Sequence, residues 1–378
     1  MSASTPRGAL VYGFWGQNIG NAFFNVGGKW IIENTFGGDV REIQDQPAYR
    51  TFHKKHRGNP DKDIKLLQYL DVDYVVLQGP MLTTSFRAIW EPTFKALKAR
   101  GVKIVLLSAG FFRYTDEEIS SAQQFLTDYP PDILSTRDAR TFEHTQGICQ
   151  RHYSGIDSAF FWPRAYQPVP LTIDPYITVN FDQYPEPNIQ VSDVPLNDSV
   201  TSGADQAFEA LDRHWALKQP GVLKKFAAAG QWQCYLGARL DWRRLPEKLD
   251  RWIVMRPEHR FNPHVTWKVY RQPGAIASDE PFTYFSIYAG TDLTLSDRVH
   301  ACVATLAAGK PAMLCHPTPR AYLFERVGLT KIRNEPVTLD LEYLRNEQES
   351  ELSFLREAAA DVFPGLAASA SGDNVLVG

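Results

Sequence analysis

At 378 residues and 42.8 kDa the chain exceeds what a single hydrophobic core usually supports, so two domains are expected. Hydrophobic residues make up 44% and charged residues 22%, which excludes wholesale disorder, collagen-like repetition and coiled coil. The balance of 40 Lys plus Arg against 43 Asp plus Glu gives a net charge of −3, which denies the chain the basic field of a duplex nucleic-acid binder.

The chain opens with an apolar run, Ala9 to Phe14, that breaks into GQNIGN and continues as a helical pattern through Ile19, Phe23, Val26 and Trp30. DYVVLQG and KIVLLSAG read as buried strands, with a helix between them that ends at Gly101 and that Pro92 starts or kinks. Thr115 opens a capping-box helix, and DIL followed by STRDARTFEH adds another strand and helix. Strands alternating with helices imply right-handed crossovers and parallel sheets. The first domain is expected to span 1–168. Between Ala165 and Pro195 the chain is rich in Pro, Asp, Asn and Gln around one strand, YITVNF, as a linker would be. The second domain, 169–378, repeats the alternation through RWIVMRP, a helix over Val299 to Ala308, PAMLCHP and a helical tail. The simplest architecture is α/β, with two Rossmann-like domains facing a cleft.

Cys149, Cys234, Cys302 and Cys315 are widely spaced and read as free thiols. No stretch approaches the roughly 20 apolar residues that span a bilayer, so a cytoplasmic protein is expected. Composition leaves peripheral docking on a membrane open and fixes no oligomeric state.

In such sheets ligands bind beyond the carboxyl ends of the strands, and four such places stand out. GQNIGN, with Asn18, Gly20 and Asn21, is either a tight turn or a backbone cradle for an anion or polar sugar at a helix start. In STRDART, Arg137 can fork onto a carboxylate or phosphate, or pair with Asp138 on the surface. Asp157, in YSGIDSAFF, can bind a hydroxyl or cap a turn. In LSDRVHACVATLAAGK, Ser296 or Asp297 caps a helix that carries Arg298 and His300 in its first turn, a combination suited to an anionic substrate and proton transfer. In MRPEHRFNPH, Arg256, His259, Arg260 and His264 form a basic lip; Pro263 prevents the two histidines from sharing a helix face, so no metal site is expected.

GQNIGN, DYVVLQG, the Arg-Asp of STRDART, YSGIDSAF and above all SDRVHACVATLAAGKPAM together resemble the polysaccharide pyruvyl transferase family, over about Leu10 to Leu329. The resemblance implies a GT-B-like fold and transfer of a pyruvyl group from phosphoenolpyruvate to a sugar or glycan as a ketal. It further implies that Arg298 and His300 bind the donor and transfer the proton, with Arg137 a second donor ligand, and that no cofactor is needed. Where family members usually have Asn-x-Gly-Asp, this chain has Asn21. Two competing functions share the architecture: a glycosyltransferase using a nucleotide sugar, and a catalytically silent member that binds a glycan or protein. The 9 Trp, 16 Tyr and 22 Phe suggest aromatic surfaces at the cleft. Trp15 and Trp162, at two strand ends, are expected to stack on the acceptor sugar, while core packing accounts for at least half of the aromatics.

Overall fold

The computed structural model describes residues 5–12, 18–37, 40–43, 66–173, 175–182, 184–196, 205–220, 241–259 and 268–364. In the first half, β1 (Gly8–Val11), β2 (Val40–Ile43), β3 (Tyr74–Gln78), β4 (Lys103–Ala109), β5 (Ile133–Thr136) and β6 (His152–Ser154) form one sheet. Its order is β2-β1-β3-β4-β5-β6, and every pairing is parallel. β1, β3 and β5 are buried throughout, which is why they read as unbroken apolar or small-residue runs rather than alternating ones. The connections run through α1 (Gly20–Thr35), α2 (Phe86–Ala99), α3 (Asp116–Asp128) and α4 (Ala139–His144). Strand order reverses between β1 and β3, so a crevice opens at their carboxyl ends.

Two local expectations change here. Pro92 does not start its helix but lies inside α2. Thr115 caps α3 by accepting from the Glu118 N–H, yet the Glu118 carboxylate turns to the N–H groups of Phe112, Arg113 and Tyr114, at 3.1, 2.6 and 2.8 Å. That carboxylate therefore shapes the loop after β4.

The second half contains β7 (Tyr176–Asn180), β8 (Asn188–Ser192), β9 (Gln206–Ala210), β10 (Arg213–Lys218), β11 (Lys248–Leu249), β12 (Trp252–Pro257), β13 (Ala275–Ile276), β14 (Thr294–Ser296) and β15 (Ala312–Leu314). Its main sheet runs β11-β12-β7-β14-β15, with β13 beside β12, and is parallel except for β11. The strand expected within a linker is thus β7, fully buried between β12 and β14. Strand order again reverses beside this first strand, placing a second crevice at the ends of β7 and β14. β8, β10 and β9 form a separate antiparallel sheet that the sequence did not reveal.

The remaining helices are α5 (Trp162–Ala165), α6 (Lys268–Arg271), α7 (Pro281–Gly290), α8 (Val299–Ala307), α9 (Tyr322–Arg326) and α10 (Leu341–Val362). α10 departs from the sequence expectation, which grouped it with residues 169–378. Its buried stripe of Leu344, Gln348, Glu351, Leu352, Leu355, Ala358 and Ala359 recurs at helical spacing. Those apolar residues share one core with Phe23 and Ile31 of α1 and its C-cap Phe36, and also with Tyr284 and Tyr288 of α7 and Val303 of α8. The tail helix thus returns to the first half, and the two halves meet through a continuous apolar seam. Cys149, Cys302 and Cys315 are free thiols, and Cys234 lies outside the described residues. Among the described residues no helix is long and apolar enough to cross a membrane.

Candidate active site

The strand ends of both sheets converge on one polar cluster. Arg137 follows β5, Asp157 follows β6, Arg298 and His300 follow β14, and Asn18, Gly20 and Asn21 lie where α1 begins. Oδ2 of Asp157 faces two groups at once, Nη1 of Arg137 at 3.3 Å and Nε2 of His300 at 3.4 Å. Asp157 also caps the turn that follows, accepting from the Ala159 N–H at 3.0 Å, so its binding and capping roles coexist. Arg298 is the N-cap residue of α8, and its Nη2 donates to Oδ1 of Asn18 at 2.7 Å across the two halves. Asn18 in turn donates to Oδ1 of Asn21 at 3.2 Å.

Glycine at position 20 follows from this convergence. A Cβ there would lie 3.2 Å from Cβ of His300 and 3.3 Å from both Oδ1 of Asn18 and Nδ1 of His259. The backbone approach is what the glycine permits. Ser296 and Asp297 do not cap α8. Ser296 Oγ accepts from the Arg298 N–H at 2.9 Å, while the Asp297 carboxylate accepts from the N–H groups of Asp182 and Tyr184 at 3.1 and 2.8 Å. Asp138 likewise caps α4 and leaves Arg137 to Asp157.

Positive charge dominates the cluster. Arg320, which the sequence reading passed over, has its pKa lowered to about 9, first by burial and then by the charges of Arg298 and Arg137. Burial likewise holds His316 at about 3, with Arg320 and Arg298 adding to the effect. Burial raises the Asp157 carboxyl, but His300 and Arg137 outweigh it and keep that group ionised, at about 2. For His300, burial prevails over Asp157 and favours the neutral imidazole. Nε of Arg137, Nη1 of Arg298, Nδ1 of His259 and Nδ1 of His316 are buried without a partner. Three guanidinium groups, two of them with uncommitted buried donors, and one carboxylate make a site for an anion carrying more than one negative charge.

Other expected site residues are placed elsewhere. Arg256 is only 1% exposed and pairs with Glu186 at 3.0 Å, while donating to the carbonyls of Pro273 and Pro246. Its charge is neutralised inside β12, so it contributes no basic lip; Arg260 and His264 lie outside the described residues. His259 is buried against Tyr288, 2.6 Å from its hydroxyl. Trp162 is 1% exposed, stacks on Phe285 at 4.4 Å and donates to the Ala304 carbonyl, so it packs the seam and offers no face to a sugar. Trp15 lies outside the described residues. Among the described residues no group of three His, Cys, Asp or Glu side chains could hold a metal ion. Arg320 lies in the connection after β15, the same kind of strand end that marked the other positions.

A UDP-N-acetylglucosamine 2-epimerase structure is similar over 99% of this chain and 100% of its own, with TM-score 0.51 and 9% identity. That likeness shows the fold, a GT-B-like pair of Rossmann-like domains. Staphylococcus aureus MnaA with UDP gives TM-score 0.49 at 11% identity, covering 95% of this chain and 92% of that one. A Methanocaldococcus jannaschii UDP-GlcNAc 2-epimerase in complex with UDP-GlcNAc and UDP gives 0.48 at 11% identity, covering 96% and 99%. A search of curated proteins finds no match. The family model for polysaccharide pyruvyl transferase matches residues 18–315.

Proposed function

The chain belongs to the polysaccharide pyruvyl transferase family, and from that premise we propose that it transfers the pyruvyl group of phosphoenolpyruvate to a sugar of a glycan, closing a ketal. The observation that carries this reading is the meeting of Arg137, Arg298 and Arg320 around the Asp157–His300 pair, with a buried donor of Arg137 and one of Arg298 uncommitted. Phosphoenolpyruvate carries a carboxylate and a phosphate, and guanidinium groups bind both through paired hydrogen bonds.

His300 supplies the proton. Neutral in the ligand-free site, it gains a proton when the anionic donor binds, because negative charge nearby favours the imidazolium. Transfer of that proton to the methylene carbon makes it a methyl group and leaves C2 electron-deficient. One acceptor hydroxyl bonds to C2 and returns its proton to His300. The C2–O bond to phosphate then breaks, a second hydroxyl bonds to C2, and its proton leaves with the phosphate. Asp157 keeps the imidazole oriented and stabilises its charged form, while Arg137 holds Asp157 ionised.

His300→Ala is expected to lower kcat by about 100-fold or more, the usual worth of a positioned general acid, with the melting temperature little changed. Arg298→Ala is expected to raise the donor KM as well. Thermal-shift titration tests the donor class: stabilisation by phosphoenolpyruvate supports the reading, and stabilisation by a uridine nucleotide alone contradicts it.

A further inference from the structure

The turn that carries Asp157 is gripped from three directions. From β4, Ser108 donates its hydroxyl hydrogen to the Ile156 carbonyl at 3.1 Å and accepts from the Ser158 N–H at 2.7 Å, so one hydroxyl bridges the residues on either side of Asp157. From α10, Glu351 accepts from the Ile156 N–H at 3.0 Å and from the hydroxyl of Ser135. From α1, the Phe24 carbonyl accepts from Ser158 Oγ at 3.1 Å, and a Cβ on Gly27 would lie 1.9 Å from the Ser158 carbonyl oxygen. A Cβ on Gly155 would lie 2.4 Å from Oε1 of Glu351, so only glycine admits the carboxylate this close.

Two features set Ser108 and Glu351 apart from ordinary core polar groups. Ser108 has a φ of 55°, in the left-handed region where glycine is the unstrained choice, and the β4–β5 register shifts between Leu106 and Ala109 around it. A side chain retained in that conformation points to use of its hydroxyl. Glu351 reaches the turn from a helix 195 positions away in sequence and is 1% exposed. We propose that Ser108 and Glu351 are positioning residues that hold Asp157 against His300 and Arg137, so that the C-terminal helix sets the geometry of the proton-transfer pair. The proposal rests on the pyruvyl-transfer reading for its kinetic consequences, but not for its geometry.

The contacts it governs are long enough to be sensitive. Asp157 stands 3.3 and 3.4 Å from its two partners, so a displacement of a few tenths of an ångström breaks one or both. Burial pushes the Glu351 carboxyl up to about 7, with Asp157 adding to it and Ser135, the Ile156 N–H and Arg326 opposing. Tyr153 of β6 also faces this carboxyl, and Arg326 of α9 bonds the Ser154 carbonyl.

The test uses the full chain with Ser108→Gly, Glu351→Ala and Glu351→Gln. Ser108→Gly suits the backbone and removes only the hydroxyl, while Glu351→Gln keeps an acceptor for the Ile156 N–H. Two readouts are taken on folded protein: the donor KM and kcat, and the His300 imidazole titration in ligand-free protein by NMR. Ser108→Gly and Glu351→Ala are expected to lower kcat about tenfold with little change in donor KM. They should also lower the His300 midpoint, because Asp157 raises it in the parent. Glu351→Gln is expected to restore most of both. A folded Ser108→Gly protein with the parent's His300 titration overturns the proposal. The titration needs no turnover: a shifted midpoint in a chain that releases no phosphate upholds the positioning role and refutes pyruvyl transfer.

Discussion

Asp157 balances a fully buried guanidinium and orients an imidazole at once. Asp157→Asn keeps the shape but leaves Arg137 as an uncompensated buried charge, which is expected to lower stability by about 3 kcal/mol by chemical denaturation. The same variant should lower kcat as well, whereas His300→Gln should lower kcat with little loss of stability, which separates the two roles of the carboxylate. A second prediction concerns protons. Because burial keeps His300 neutral before the donor arrives, binding of phosphoenolpyruvate should take up a proton at pH 7.5. Calorimetric titration in two buffers of different ionisation enthalpy measures this uptake, and identical heats in both buffers would contradict it. At this scale the sequence was informative where chemistry and spacing coincide. Arg137, Asp157, Arg298 and His300 each follow a strand and do meet, as do Asn18, Gly20 and Asn21 beside them. Arg320 lies in a single 3-10 turn after the short strand β15, capped by Thr318, and nothing in that local pattern discloses that Arg298 and Arg137 come close to it. Arg256 was read as a lip because nothing near it in sequence discloses Glu186, which comes from a segment 70 positions earlier.

α1 owes its unusual composition to what it touches. Glycines in a helix interior cost about 1 kcal/mol each relative to alanine, yet α1 has Gly27 and Gly28 adjacent. A Cβ at 27 meets the Ser158 carbonyl oxygen and one at 28 would lie 2.0 Å from Oε1 of Gln78, so both glycines let the helix seat against its neighbours. Gly27→Ala should therefore destabilise by about 1–3 kcal/mol despite its better helix propensity, because backbone must move, and it should lower kcat by displacing the Asp157 turn. A thermal melt with parallel kinetics checks this; an unchanged or raised melting temperature would contradict it. Element type was legible where the hydrophobic period was clean, as in β3, β4 and α10. Element partnership was not. β7 reads as a strand, but as one within a linker, because the β12 and β14 that bury it lie far along the chain. α10 looked like a tail of the second half because its apolar stripe carries no label saying which core it will join.

At the scale of the whole molecule, the residues leading into α1 are tied to the second half: the Ile19 N–H donates to the His259 carbonyl at 2.8 Å, and Arg298 donates to Asn18. The site thus exists only when both halves are docked, which agrees with a core that runs from α1 through α7, α8 and α10. Its histidines also set how the fold responds to acid. Burial holds His152 at about 4 and His316 at about 3, and lowers His259 and His300 as well. Unfolded imidazoles bind protons near pH 6.5, so the stability these four contribute is fully present above that pH and is lost as pH falls towards 3. Glu351, at about 7, and Asp297, at about 6, have the opposite sign: their contribution is complete below the unfolded carboxyl range and lost as pH rises through those values. Four groups against two predict a melting temperature that declines steadily from pH 6.5 to pH 4, measurable by circular dichroism; a flat profile would contradict it.

The central claim is the reaction itself. The protein is incubated with phosphoenolpyruvate and a panel of β-linked sugars, with phosphate release followed in time and the products examined by NMR. The account predicts phosphate release that depends on one class of acceptor, a new methyl signal on a ketal carbon, and loss of both with His300→Ala. Absence of phosphate release with every acceptor, or release that His300→Ala leaves unchanged, would contradict it.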